Sequence, residues 1–185
     1  MLEPHLATMF CFLATDAAIA ADALQTTLRH AVDRSLNRIT VDGDQSTSDT
    51  VAVLANGLAE NAPLEKGGRG LRQFRLALEA ITGRLARMLV QDGEGATKLV
   101  EISVRGARTR REALVAARAV ANSLLVKTAV AGADPNWGRI MMALGKSAAR
   151  ILPDPVGGRE GELATYIIYV PRFREHVIEE VLRKL

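Results

Sequence analysis

The 185-residue chain has a single cysteine, Cys11. No intrachain disulfide can form, and no cysteine-based zinc site can be assembled. A reducing compartment is the natural setting, so a cytoplasmic protein is expected. Aromatic residues are also sparse, at 4% of the chain. The pI is near 9.3, which raises the question of nucleic acid. The basic residues are scattered, however, and there is little to stack bases on, so no nucleic-acid role is expected. The one dense basic run, residues 105–111, reads as an exposed turn and helix start. No apolar run approaches the roughly 18 residues of a membrane span, so no membrane association is expected. The first 24 residues are Ala-rich, yet they carry Glu3, Asp16 and Asp22 and lack a basic leader, unlike a signal peptide. His5, His30 and His176 lie far apart, and none sits beside a plausible ligand set, so no metal is expected.

What is present is a chain of 48% apolar and 24% charged residues with net charge +3. That composition supports a folded core without staples and opposes wholesale disorder. Met9 to Leu13 is apolar and short, a strand or buried turn. Asp16 is placed to cap a helix over 17–29 with Leu24, Leu28 and Val32 on one face. Residues 39–41 read as a short buried strand, followed by a polar loop over 42–49. Ser48 or Asp49 would cap a helix over 50–59. Pro63, Gly67, Gly68 and Gly70 mark a loop. A long helix over 71–90 places Phe74, Leu78, Ile81, Leu85 and Leu89 in one stripe. A strand over 98–104, a helix over 111–125, a turn at 134–136, a helix over 140–149, a strand over 166–170 and a C-terminal amphipathic helix complete the reading. Strands and helices mix without a regular βαβ rhythm, which points to an α+β fold with a mixed sheet packed against helices.

Five segments carry chemistry. Thr8, between Ala7 and Met9, is an ordinary strand position unless it becomes an N-terminus. Its own α-amino group, with a pKa near 7.7–8 in model compounds, would then be the base for its hydroxyl. The run from Thr40 to Thr50 is dense in short polar side chains. It is not a calcium loop, because Thr47 replaces the required glycine and Val53 the bidentate glutamate. Gly93-Glu94-Gly95 lacks the third glycine of a dinucleotide loop and precedes a strand. Glu94 is a turn residue or a carboxylate for a substrate ammonium. Ser123 to Ala129 begins on the expected helix over 111–125. Gly132 to Arg139 holds the sole tryptophan, Trp137, expected to pack and anchor a rigid turn.

In order, these segments resemble the glutamate N-acetyltransferase (ornithine acetyltransferase) family of arginine biosynthesis. Met1 to Phe10 is similar to the latter part of its G-M-I-x-P-N-M-A-T-M-L stretch. Thr40 to Thr50 matches T-V-D-G-D-x-S-T-N-D-T, with Ser48 for Asn. Gly93 to Lys98 matches G-E-G-A-T-K. Ser123 to Ala129 and Gly132 to Ile140 match S-x-L-V-K-T-A and G-x-D-P-N-W-G-R-I.

The resemblance implies a self-processing fold of the N-terminal-nucleophile type, shared with certain aminopeptidases, of which this chain is the β-chain half. It implies cleavage between Ala7 and Thr8. Thr8 is then the nucleophile that takes acetyl from N-acetylornithine and passes it to glutamate, an acyltransferase reaction without metal or organic cofactor. Glu94 is implied to bind the substrate's α-amino group. The oxyanion donors are implied to come from a Thr-Gly pair in an upstream α-type chain, the expected hetero-oligomeric partner. Residues 1–150 form the acetyltransferase β-chain-like domain, and residues 151–185 a divergent C-terminal strand and helix. The alternative is a catalytically silent fragment or an interaction module lacking the α-chain half.

Overall fold

The computed structural model describes residues 9–40, 43, 46–93 and 99–149, and the backbone of 162–169. In chain order the elements are β1 (Phe10–Thr15), α1 (Ala21–Arg34), a 3-10 turn (Leu36–Arg38), β2 (Ile39–Thr40), β3 (Thr50–Ala55), α2 (Arg69–Gln91), β4 (Leu99–Ala107), α3 (Arg110–Ala121), α4 (Leu124–Ala131), α5 (Trp137–Gly145) and β5 (Glu162–Tyr169). Helix and sheet are mixed, and the fold class is α+β. The chain divides into two compact units, Met1–Ile39 with Asp44–Leu89, and Thr40–Gly43 with Val90–Leu185. The expected C-terminal helix lies outside the described residues.

The first unit is organised by a parallel pair. β1 and β3 run side by side in register from Phe10↔Thr50 to Thr15↔Ala55. The expected helix over 50–59 is therefore a strand followed by a turn. Thr50, Val51 and Val53 are β-branched and suit a pleated surface. Side chains alternate across a strand, so Leu13, Val51 and Val53 pack on the cluster of Leu28, Ala31 and Leu78 from α1 and α2, as does Phe74. α1 begins at Ala21, with no side-chain cap, rather than just after Asp16. The intervening backbone is engaged by a distant loop: Ala18 N donates to Asn61 Oδ1 at 2.8 Å, and Leu64 N donates to Ala18 O at 3.0 Å. These bonds compete with a first helical turn there. In α2 the buried line is Leu78, Thr82, Ala86 and Val90, while Ile81 is exposed. Thr82 is tolerated inside because its hydroxyl donates to Leu78 O at 2.9 Å. On the surface, Glu79 of α2 pairs with His30 (3.1 Å) and Arg34 (3.3 Å) of α1.

The other face of the parallel pair is open. Phe10 is 62% exposed, Phe12 68% and Leu54 61%. The two phenyl rings stack at 6.1 Å. Parallel strands are normally covered on both faces, so this apolar surface has the character of an interface.

In the second unit a three-stranded sheet has the order β2-β5-β4. β4 and β5 are antiparallel, from Leu99↔Tyr169 to Ala107↔Glu162, with an irregularity between Val104 and Ala107. Gly106 takes φ +78 there, a value that favours glycine and re-aims the strand. Val100 and Ile102 of β4 pack on Ala117, Val120 and Ala121 of α3, Val126 of α4 and Ala143 of α5. α3 starts where the basic run ends. Thr109 accepts from Glu112 N at 3.2 Å, and Arg108 holds the Glu112 carboxylate at 2.9 Å.

The expected single helix over 111–125 is two helices. Ser123, buried, caps α4 by accepting from Val126 N at 3.4 Å. At the break, Asn122 Oδ1 accepts a 2.7 Å hydrogen bond from the hydroxyl of the fully buried Thr40. Asn122→Ala should cost about 1–3 kcal/mol, because the Thr40 hydroxyl would be left buried without its acceptor. Urea unfolding with an unchanged midpoint would refute this. Among the described residues no single helix is long and apolar enough to cross a membrane.

Candidate functional site

The sequence-predicted site residues Ala7, Thr8 and Glu94 lie outside the described residues. Their neighbours and much of the other motif segments are described, and named contacts hold several of them in place.

Met9, the residue bonded to Thr8, is held in three ways. Its side chain is 2% exposed. Its amide donates to Asp49 Oδ1 at 3.0 Å. Its carbonyl accepts from Thr50 N at 2.8 Å. Asp49 thus serves the start of β1, forty residues earlier, rather than capping a helix. Local sequence reasoning misses this role because residues 50–59 also read as a helix. The signal that points the other way is the β-branched run after Asp49.

The strand that leads into the polar loop is tied at its last residue by the Thr40–Asn122 bond. Gly43 takes φ +97. A Cβ there would lie 3.8 Å from Asn122 Cγ, so the side chain of Asn122 closes against the loop's glycine. Asn122 sits immediately before the Ser123 motif, and its part in holding the loop is likewise not legible from the sequence.

The last two segments are stitched by Arg139. Its Nη1 donates to Leu125 O at 2.9 Å and to Thr128 Oγ1 at 3.1 Å. Within the turn, Asn136 Nδ2 donates to Asp134 Oδ2 at 3.1 Å. Trp137 does not anchor the turn by packing. It is the first residue of α5 and is 60% exposed. The segment is instead tied to α4 by the guanidinium of Arg139.

Cys11 follows Met9 closely in sequence but is buried. Burial pushes its thiol up from the ordinary 9.0, which disfavours the reactive thiolate. Cys11 should therefore resist thiol reagents at neutral pH in the folded protein and react once it is unfolded. Equal labelling rates in both states would contradict this. Because the folded value is the raised one, the associated stability is fully present below pH 9.0 and is lost as pH rises through the folded value. Among the described residues, no group of three or more His, Cys, Asp or Glu side chains is placed to hold a metal ion.

Comparison with known proteins gives a consistent picture. The model of the ArgJ family matches residues 1–176. The "Arginine biosynthesis bifunctional protein ArgJ" of Symbiobacterium thermophilum is 50% identical over 185 residues, all of this chain and 46% of that protein. The protein of the same name from Geobacter sulfurreducens is 51% identical over 154 residues, 83% of this chain and 39% of its own length. The chain thus spans less than half the length of the curated relatives it matches. A crystal structure of Arginine biosynthesis bifunctional protein argJ from Bacillus halodurans contains a chain that superposes with a TM-score of 0.77 at 32% identity. The match covers 96% of this chain and 100% of that one. The family model and the Symbiobacterium relative both extend past residue 150, beyond the reach of the motifs.

Proposed function

The chain belongs to the ArgJ family, and from that membership we propose that it is the β-chain portion of a glutamate N-acetyltransferase (ornithine acetyltransferase). Cleavage between Ala7 and Thr8 frees the threonine. In the first half-reaction its α-amine takes the Oγ proton while Oγ bonds to the acetyl carbon of N-acetylornithine. The carbon–nitrogen bond to ornithine breaks, and the proton passes to the departing nitrogen. In the second half-reaction the glutamate amine attacks the acetyl-threonine ester. The carbon–oxygen bond breaks, and a proton from that amine returns to Oγ. Each half-reaction passes through an oxyanion that needs fixed donors, assigned to the Thr-Gly pair of an α-type chain. Glu94 supplies a carboxylate to the α-ammonium of glutamate as it enters, and the proton which that nitrogen sheds before attacking the ester leaves to water. No metal or organic cofactor enters the cycle. The reading takes residues 1–150 as the acetyltransferase portion, 151–185 as its divergent end, and the cytoplasm as its setting.

The observation that carries the reading is the seating of Met9. A nucleophile that relies on geometry needs a fixed neighbour, and Met9 is held by side chain, amide and carbonyl together. Two further facts support it. The curated relatives are more than twice as long as this chain, and the fold of one crystallised chain matches 96% of it. The open face of Phe10, Phe12 and Leu54 suits an α-type partner.

Mass spectrometry tests the proposal. The assembled protein, this chain with its α-type chain, is incubated with N-acetylornithine in the absence of glutamate. The expected result is a chain beginning at Thr8 with acetyl on Thr8. A free N-terminal Thr8 that never gains acetyl would sink the proposal. An uncut chain still beginning at Met1 would favour the silent interaction module.

A further inference from the structure

One buried polar atom beside the start of β1 is not used by the fold. Asp49 spends Oδ1 on the Met9 amide at 3.0 Å. Its Oδ2 is buried and has no hydrogen-bond partner among the described residues. The nearby donors are engaged elsewhere: Thr50 N goes to Met9 O at 2.8 Å, and Thr50 Oγ1 goes to Ser48 O at 3.2 Å. A buried carboxylate oxygen without a donor is costly, and a donor that arrives in the working protein would offset that cost.

Covalent geometry says which donor is within reach. Thr8 is bonded to Met9 N, and standard bond lengths and angles keep its α-nitrogen within about 4 Å of that atom at any ψ. The carboxylate that grips Met9 N is therefore tethered next to the amine that cleavage would expose. A base that must take a proton from a neighbouring hydroxyl works best when a third group orients it.

We infer that Asp49 is a positioning residue for the nucleophile: Oδ1 fixes the Met9 amide, and Oδ2 receives and orients the freed α-amino group of Thr8. The inference rests on the reading of Thr8 given above. As Oγ attacks the acetyl carbon, its proton moves to the α-nitrogen and then to the departing ornithine nitrogen. Asp49 takes no proton in any step. Its negative charge stabilises the ammonium that forms transiently beside it, so its effect falls on the chemical step rather than on substrate binding. A carboxylate that served only to cap the start of β1 would not separate those two quantities.

The test uses the assembled protein, with Asp49→Asn and Asp49→Ala compared with the parent. The Asn variant keeps an oxygen for the Met9 amide and removes only the second acceptor and the charge, so it preserves the fold if the Ala variant does not. The Asn variant is expected to lower kcat for acetyl transfer by about 100-fold while KM for N-acetylornithine stays within about threefold. Thermal unfolding of the Asn variant should be close to that of the parent. Acetylation of Thr8 in the parent is read in parallel by mass spectrometry. If the parent is acetylated and the Asn variant keeps its kcat within about threefold, Asp49 has no positioning role. If KM rises and kcat holds, the inference is likewise overturned. If the parent itself shows no acetyl on Thr8, the reading of Thr8 fails first and takes this inference with it.

Discussion

Thr8→Ala is expected to abolish acetyl transfer by the assembled protein, with a loss of kcat of at least about 1,000-fold, the scale seen when a covalent nucleophile is removed. The physical reason is that one residue supplies both nucleophile and base. Removing the hydroxyl leaves no oxygen to form the ester, whether or not the bond after Ala7 is cut. Thr8→Ser keeps a hydroxyl and should retain a measurable fraction of the rate. The readout is steady-state transfer from N-acetylornithine to glutamate, with exchange of labelled ornithine into N-acetylornithine as a separate check on the first half-reaction. Both should vanish together in the Ala variant. Transfer that survived Thr8→Ala unchanged would remove Thr8 from the mechanism altogether.

Glu94→Gln should act on binding rather than on chemistry. The amide is nearly the same shape as the carboxylate but cannot neutralise an ammonium. A hydrogen bond to a charged partner contributes about 1.5–3 kcal/mol, so KM for glutamate should rise by about tenfold to a hundredfold. The change in kcat at saturation should be smaller, because the ammonium is gripped as glutamate enters, before its nitrogen sheds a proton and attacks, so most of the lost interaction appears in KM. A variant whose KM is unchanged while kcat collapses would move Glu94 from substrate binding to the chemical step. Thr8→Ala and Glu94→Gln thus separate the two proposed roles by which kinetic constant moves.

The chemistry proposed for Thr8 and Glu94 is legible in the amino-acid sequence. A threonine is a plausible nucleophile only if it can become an N-terminus, and a carboxylate between two glycines can face an ammonium. What holds the chain around Thr8 is not legible there. Asp49 reads as a helix cap because the residues after it include Ala, Leu and Asn at spacings a helix also allows. Its partner, the amide of Met9, is forty residues away, and no local pattern announces it. Asn122 reads as the interior of a helix. Its backbone N–H closes α3 on Arg118 O, and its side chain accepts the 2.7 Å bond from Thr40 across 82 residues.

The amino-acid sequence alone determined the features that depend on near neighbours. The core-facing Leu28 of α1 and Leu78 of α2 follow from helical spacing. The start of α3 follows from Thr109 and Glu112, three residues apart. The single cysteine by itself excludes an intrachain disulfide. Tertiary structure decided the features that depend on distant partners. Residues 50–55 are a strand because β1 is there to pair with them. Thr82 rather than Ile81 lies inside because packing selects the face, while a local hydroxyl-to-carbonyl bond relieves the polar group. Trp137 is exposed, and the segment's described long-range side-chain bonds come instead from Arg139, to Leu125 O and Thr128 Oγ1. Helical periodicity and capping are written within a few residues. Strand pairing and the satisfaction of buried polar groups are settled only when the chain returns to itself.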